Sequence, residues 1–260
     1  MSALDDHLSW CRQRELADST LRQRRARLAQ LAGWCGLADP VEASRERVEG
    51  RWGSTTHLGR YTRRGYLVHA RQFYRWALVM DVRADDPTVR IRAPKAKKYL
   101  PRPVPESALR RVIESAAGDV LVIIALAAFA GLRAREIALL RWEDVGRDEM
   151  ELRITEQAGK GRRPRVAPLS PMLAAVLLAH GPAAGGLVYV LARRRWRPEC
   201  PVSPAVVSQK ARRHLDACGV SLPLHSCRHR FATAFYEAAD HDLLLLAKVL
   251  GHASAAIAFT

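Results

Sequence analysis

Residues 120–130, Val-Leu-Val-Ile-Ile-Ala-Leu-Ala-Ala-Phe-Ala, form the longest uninterrupted apolar run of the chain and lie between Asp119 and Gly131. The run falls well short of the roughly 20 residues that cross a bilayer. It is also longer than the roughly 4–8 residues of an ordinary buried strand. A helix that is apolar all round must be buried all round, so the rest of the sequence has to wrap it with other elements. Residues 106–117 read as a helix on one side of it, and residues 137–140 continue helical spacing on the other. With 48% apolar and 26% charged residues in 260, the chain has an ordinary globular composition and enough length for one large or two modest domains.

The remaining segments sort by period. Residues 151–155 and 165–169 are short strand candidates flanking the turn Ala158-Gly159-Lys160-Gly161-Arg162, which predicts a hairpin or small sheet. Residues 172–180, 204–217, 227–239 and 243–250 are helical in spacing. Before the apolar run, residues 19–35 place Leu21, Leu28, Leu31 and Trp34 on one helix face, with Ser19 or Thr20 as N-cap and Arg22, Arg24, Arg25 and Arg27 around the rest. Residues 54–80 carry a second stripe, Tyr66, Ala70, Phe73, Ala77 and Met80, with Arg60, Arg63, Arg64, Arg71 and Arg75 adding charge. Between the halves, Arg90, Arg92, Lys95, Lys97 and Lys98 occur without an acid, and Pro94, Pro101, Pro103 and Pro105 keep the chain extended. The expected organisation is a helical domain over 1–93, a basic proline-containing linker over 94–105 and a second domain over 106–260. The expected fold class is mainly α (α+β), with a small β-sheet.

Lys and Arg number 42 against 26 Asp and Glu, a net charge of +16. The excess is concentrated: residues 51–100 hold 12 basic and 3 acidic groups, and residues 151–200 hold 9 and 3. Two basic segments separated by a near-neutral block point to a polyanion, with duplex DNA as the leading candidate and strong salt dependence as its consequence. The start, Met-Ser-Ala-Leu-Asp-Asp, carries early acids where a secretory signal has a basic segment and an apolar core. A cytoplasmic, nucleoid-associated location is expected, without a membrane partner. The five cysteines, Cys11, Cys35, Cys200, Cys218 and Cys227, form no C-x-x-C pair and read as reduced packing thiols.

Four motifs in the second half supply planar cations, a cationic acid and imidazoles, the parts that metal-free phosphoryl transfer uses. They are Gly131-Leu132-Arg133-Ala134-Arg135-Glu136, the hairpin lysine Lys160, His225-Ser226-Cys227-Arg228-His229 and Leu250-Gly251-His252. His225 and His229 are spaced as a metal pair would be, but neither an H-E-x-x-H glutamate nor a third ligand accompanies them, so no metal is expected. Cys227 reads as a packing residue.

In this order the motifs resemble those of the tyrosine recombinases, the phage-integrase and Xer-type family. G-L-R-x-x-E matches residues 131–136, followed by Trp142 and Asp144. G-K-G followed by R-x-x-P-L matches residues 159–161 and 165–169. H-x-x-R-H with F-A-T matches His225, Arg228, His229 and residues 231–233, and L-G-H-A-S matches residues 250–254. The resemblance covers residues 104–260. It implies a helical core-type DNA-binding (SAM-like) first domain and a catalytic second domain that together form a C-shaped clamp on duplex DNA.

It also implies catalytic roles for Arg133, Lys160, His225, Arg228 and His252, with Glu136, Asp144 and His229 in support. DNA contacts are expected from Arg60, Arg63, Arg64, Arg71, Arg90, Arg92, Lys95, Lys97, Lys98, Arg162, Arg163 and Arg165. No cofactor and no small-molecule substrate are implied, and the family's assembly is a homotetramer on paired sites. The family's nucleophile is a tyrosine nine residues beyond the L-G-H histidine, a position just after Thr260, and none of the six tyrosines stands there. The 260 residues alone are therefore expected to bind DNA without cleaving it. Two other readings stand beside this one. Residues 227–239 and 243–250 also fit the helix-turn-helix of a non-catalytic DNA-binding regulator. A type IB topoisomerase relative would share the Arg, Lys and His logic.

Overall fold

In the computed structural model, residues 2–95, 101–158, 164–181, 188–194 and 197–251 are described. The chain divides into two compact units, Met1–Lys97 and Lys98–Thr260. Among the described residues no helix is long and apolar enough to cross a membrane.

The first unit is built from α1 (Ala3–Gln13), α2 (Asp18–Trp34), α3 (Arg45–Ser54) and α4 (Arg60–Val79). Ser2 caps α1 by accepting the Asp5 N–H, and Ser44 caps α3 by accepting the Arg47 N–H. For α2 the expected cap is corrected: the N-cap is Ala17, without a side-chain bond, and Ser19 and Thr20 fall inside the first turn beside Asp18. The Asp18 carboxylate there complements the positive end of the helix dipole. The 54–80 pattern divides, because Thr55 turns its hydroxyl back to the Trp52 carbonyl and residues 55–57 form a 3-10 turn before α4 starts. Tyr66, Ala70, Phe73 and Ala77 are buried as their spacing predicts, whereas Met80 ends the helix and is 49% exposed. All five cysteines of the chain are free thiols.

Arg24 is a second correction. It was expected on the basic face, yet it shares helical spacing with Leu21, Leu28 and Leu31 and is buried with them. Its Nη1 donates to Cys11 Sγ (2.8 Å) and lies 3.3 Å from His7 Nε2, while Nη2 donates to Gln72 Oε1. His7 itself is fully buried, edge-on to Phe73 at 5.3 Å and 4.9 Å from the Trp76 ring. Burial and then the neighbouring Arg24 cation lower its pKa from 6.5 to about 4.

The second unit contains α5 (Glu106–Glu114), α6 (Gly118–Phe129), α7 (Ala134–Leu139), β1 (Val145–Gly146), β2 (Glu151–Ile154), β3 (Arg165–Pro168) and α8 (Pro171–His180). It continues with β4 (Ala192–Arg194), β5 (Arg197–Pro201), α9 (Pro204–Ala217), α10 (His225–Ala238) and α11 (Leu243–Leu250). The apolar run is α6, as its composition requires. Every residue from Val122 to Ala127 is at most 1% exposed, with α5, α7, α8, α9 and α10 packed around it. Burying each of its larger side chains contributes roughly 1.5–3 kcal/mol.

The three-stranded sheet is antiparallel in the order β1-β2-β3, with Leu152 opposite Ala167 and Ile154 opposite Arg165. Strand alternation buries Leu152, Ile154 and Ala167 and turns Arg153 and Val166 outward. By the same parity Arg165 shares the inward face with Ala167. The antiparallel pair β4-β5 has no counterpart in the sequence reading, because the arginine-rich residues 192–201 lack an alternating apolar pattern.

Because the folded state holds His7 neutral, the unfolded chain takes up a proton below pH 6.5 that the fold rejects. Stability is therefore full above pH 6.5 and is lost as pH falls toward 4, by up to about 1.4 kcal/mol per pH unit. In urea titrations followed by tryptophan fluorescence, His7→Phe is expected to lack this part of the acid slope; a slope equal to the wild type would contradict the assignment.

Candidate active site

The site starts from a backbone turn. After α6 the chain passes through Gly131 at φ +63°, and the Ala130 and Leu132 N–H groups both donate to the Leu126 carbonyl. A β-carbon on Gly131 would stand 2.4 Å from Phe231 Cδ1 and 3.1 Å from Leu250 Cδ2, so only glycine permits both the left-handed turn and its contact with α10 and α11. The turn delivers Arg133 to the N-cap of α7. There the Glu136 carboxylate reaches back to the Arg133 N–H at 2.8 Å.

Glu136 is 1% exposed and is surrounded by three guanidinium groups. Arg133 Nη1 donates to Oε1 at 2.8 Å, Arg165 Nη2 donates to Oε2 at 2.7 Å, and Arg228 Nη1 lies 3.7 Å from Oε2. Arg228 also donates to the Gly131 carbonyl and, at 2.8 Å, to the Leu250 carbonyl. These are acceptors that the ends of the flanking helices leave unpaired. Arg165 donates in addition to the Val249 carbonyl. The cluster therefore draws together the turn after α6, the start of α7, β3, α10 and the end of α11.

Burial alone would raise the Glu136 carboxyl. Arg165, the Arg133 N–H, Arg228 and Arg133 outweigh burial and hold its pKa below the usual carboxylate value. Burial, reinforced by Arg133 and Arg165 and opposed by Glu136, lowers Arg228 to about 9, which leaves it cationic at neutral pH. Among the described residues of the cluster, three cations face one carboxylate. Arg133, with 21% of its side chain exposed against 3% for Arg228 and 5% for Arg165, is the most open member. An anion brought to this turn meets a planar donor on a pre-oriented backbone.

His225 opens α10 and is exposed; its ring stands edge-on to half-buried His229 with centroids 4.4 Å apart. Burial and then the Arg228 cation lower the His229 pKa, which favours its neutral imidazole. Between them, Cys227 is fully buried and its thiol is pushed up to about 12, the behaviour of a packing residue and not of a nucleophile. Asp144 lies in a 3-10 turn after α7 and accepts the Arg141 N–H at 3.3 Å. Among the described residues no group of three or more His, Cys, Asp and Glu could hold a metal ion. Lys160, Arg162, Arg163, His252, Lys97 and Lys98 lie outside the described residues.

Of the expected DNA-contacting residues, Arg60, Arg64, Arg71, Arg90, Arg92 and Lys95 are exposed. Arg63 bonds Thr55 Oγ1 at 3.1 Å and stacks on Trp52, and Arg71 bonds the Ile91 carbonyl at 2.6 Å, so both tie α4 to the rest of the first unit. Arg165 points inward from β3 and joins the arginine cluster around Glu136, where 5% of its side chain is exposed. Strand parity within residues 165–169 was the available signal for this.

Replacing Glu136 by Gln removes the carboxylate and leaves three buried guanidinium groups against a neutral amide. Losing one side of a buried ion network costs on the order of 3–5 kcal/mol. Thermal unfolding is expected to show this loss, and added sulfate is expected to restore more stability to Glu136→Gln than to the wild type. Equal sulfate responses would contradict the reading of the cluster as a charge-starved anion site.

The profile of the Phage integrase family matches residues 81–259 of this chain. Similar proteins include tyrosine recombinase XerA of Pyrococcus furiosus, 28% identical over 169 residues that make up 64% of this chain and 58% of the relative. Tyrosine recombinase XerC of Alcanivorax borkumensis is 28% identical over 204 residues, covering 72% of this chain and 63% of the relative. The chain thus spans less than two thirds of the length of these two relatives. XerC of Xanthomonas campestris pv. campestris, at 25% identity, is matched over 98% of this chain and 82% of its own length. In fold, a dimer of lambda integrase residues 75–356 bound to a COC′ core site superposes with a TM-score of 0.78 at 18% identity, covering 98% of this chain and 95% of that one. The arginine–glutamate turn, the H-x-x-R-H helix and the R-x-x-P-L strand thus sit within a matched region of more than half the chain, which belongs to the phage integrase family, the tyrosine recombinases.

Proposed function

We propose that this protein is a site-specific DNA recombinase or integrase that exchanges strands of duplex DNA by transesterification. The observation that supports this best is the buried carboxylate among three guanidinium groups, a cationic cluster where a phosphodiester would be held. Arg133 and Arg228 hold the non-bridging oxygens of the scissile phosphate, where fixed donors count most as charge develops. A tyrosine hydroxyl attacks phosphorus and the bond to the 5′-oxygen breaks, giving a 3′-phosphotyrosine. Lys160 donates the proton to the leaving 5′-oxygen, and His225 and His252 act in acid–base or phosphate-positioning roles, with His229 behind them. Attack by a 5′-hydroxyl from another strand reverses the step and releases the tyrosine, so the phosphodiester energy is conserved.

The first unit serves as the core-type DNA-binding domain. Its exposed Arg60, Arg64, Arg90, Arg92 and Lys95 supply the sequence-independent share of binding. The attacking tyrosine is placed at the family's position, nine residues past His252, and the assembly that exchanges strands is a homotetramer on paired sites.

Duplex binding is expected to weaken by on the order of a thousandfold between 50 and 200 mM salt, as release of several counterions requires; fluorescence anisotropy with a 30-base-pair duplex measures it. Covalent trapping on core-site DNA tests the chemistry, comparing the 260 residues with a chain extended by the coding sequence that follows. A covalent complex is expected only with the extended chain, and Arg133→Ala or Arg228→Ala should abolish it. A covalent complex with the 260 residues would assign the attack to a residue within them. Sequence-specific binding without covalent chemistry in either chain would favour a DNA-binding regulator.

A further inference from the structure

Arg165 lies outside both histidine-bearing motifs in sequence, yet it joins three separate elements. From the first position of β3 its Nη2 donates to Glu136 Oε2 at 2.7 Å, and its Nη1 donates to the carbonyl of Val249 in the last turn of α11. Its aliphatic stem lies directly against the turn that follows. A β-carbon on Gly251, where φ is +64°, would stand 2.6 Å from Arg165 Cδ and 3.1 Å from Nε.

The Glu136 oxygen that Arg165 binds also accepts the Arg133 N–H and faces Arg228 at 3.7 Å, so movement of Arg165 would re-aim the carboxylate that orients both arginines. In sequence, β3 begins five residues after Lys160, and Val249 lies three residues before His252. One side chain thus ties the start of β3 and the end of α11 to the carboxylate that the arginine pair shares.

We propose that Arg165 is a positioning residue for phosphate binding, acting through Glu136 and the end of α11. This rests on the recombinase reading of the same site. Its planar fork makes the two divergent bonds from separate nitrogens, Nη1 and Nη2, whereas a lysine carries all three donors on one nitrogen at the end of a flexible stem. The role therefore calls for arginine in particular and not for any cation.

The test uses orthovanadate as the probe, a tetrahedral oxyanion close to phosphate in size and charge, titrated into the 260-residue chain by calorimetry. Arg133→Ala identifies the site and is expected to weaken binding at least tenfold. Arg165→Met is expected to weaken it about tenfold and Arg165→Lys about threefold, each unfolding with a single transition. If Arg165 acts through Glu136, Arg165→Met combined with Glu136→Gln binds no more weakly than Glu136→Gln alone. Should Arg165→Met not fold, Arg165→Lys with Glu136→Gln completes the same cycle. Wild-type affinity in the Arg165 variants, with Arg133→Ala still impaired, overturns the positioning role and leaves the recombinase reading standing. Additive losses in the double variant overturn it as well. Absence of wild-type vanadate binding, or binding indifferent to Arg133→Ala, overturns the phosphate-site reading and this inference with it.

Discussion

The buried carboxylate of Glu136 organises the second unit. Placing Glu136 at 1% exposure without cations would cost several kcal/mol in lost hydration, and burying three arginines without a carboxylate would cost more. Together they hold one another in place, with three cations to one carboxylate among the described residues of the cluster. Such an arrangement is poor as a device for stability alone, since well-packed apolar side chains would serve as well or better. It is well suited to a site that must be rigid, positively charged and complete before its ligand arrives.

The scaffold that makes this possible is apolar and local. The α6 helix, buried on every side, fixes the position of Gly131, and Gly131 in turn lets Phe231 and Leu250 press against the backbone at the point where Arg133 emerges. The Gly131 and Leu250 carbonyls then serve as acceptors for Arg228. The two arginines reach the same carboxylate by different routes: Arg133 as the cap of its own helix, and Arg228 from the first turns of α10, bound to the loose ends of two other elements. In the first unit the same logic runs without a carboxylate. Arg24 is held among His7, Cys11 and Gln72, and its charge is part of what keeps the His7 imidazole neutral.

Much of this was legible in the sequence. The unbroken run over residues 120–130 dictated a buried central helix because no other structure hides that many consecutive apolar side chains. The glycine-flanked turn, the H-x-x-R-H spacing and the L-G-H segment marked Arg133, Glu136, His225 and Arg228 because capping, helical spacing and glycine-dependent turns are local effects that leave local signatures. What the sequence could not reveal is which cation meets which anion across the fold. Arg165 reads like the other basic residues of its segment, and Arg24 like its neighbours on a basic helix. Their burial follows from strand and helix parity relative to a core that exists only once distant elements have packed. Motif spacing therefore determined the chemistry this chain presents. Tertiary structure alone decided that one carboxylate would gather three arginines, because a buried charge chooses its partners by distance in space and not along the chain.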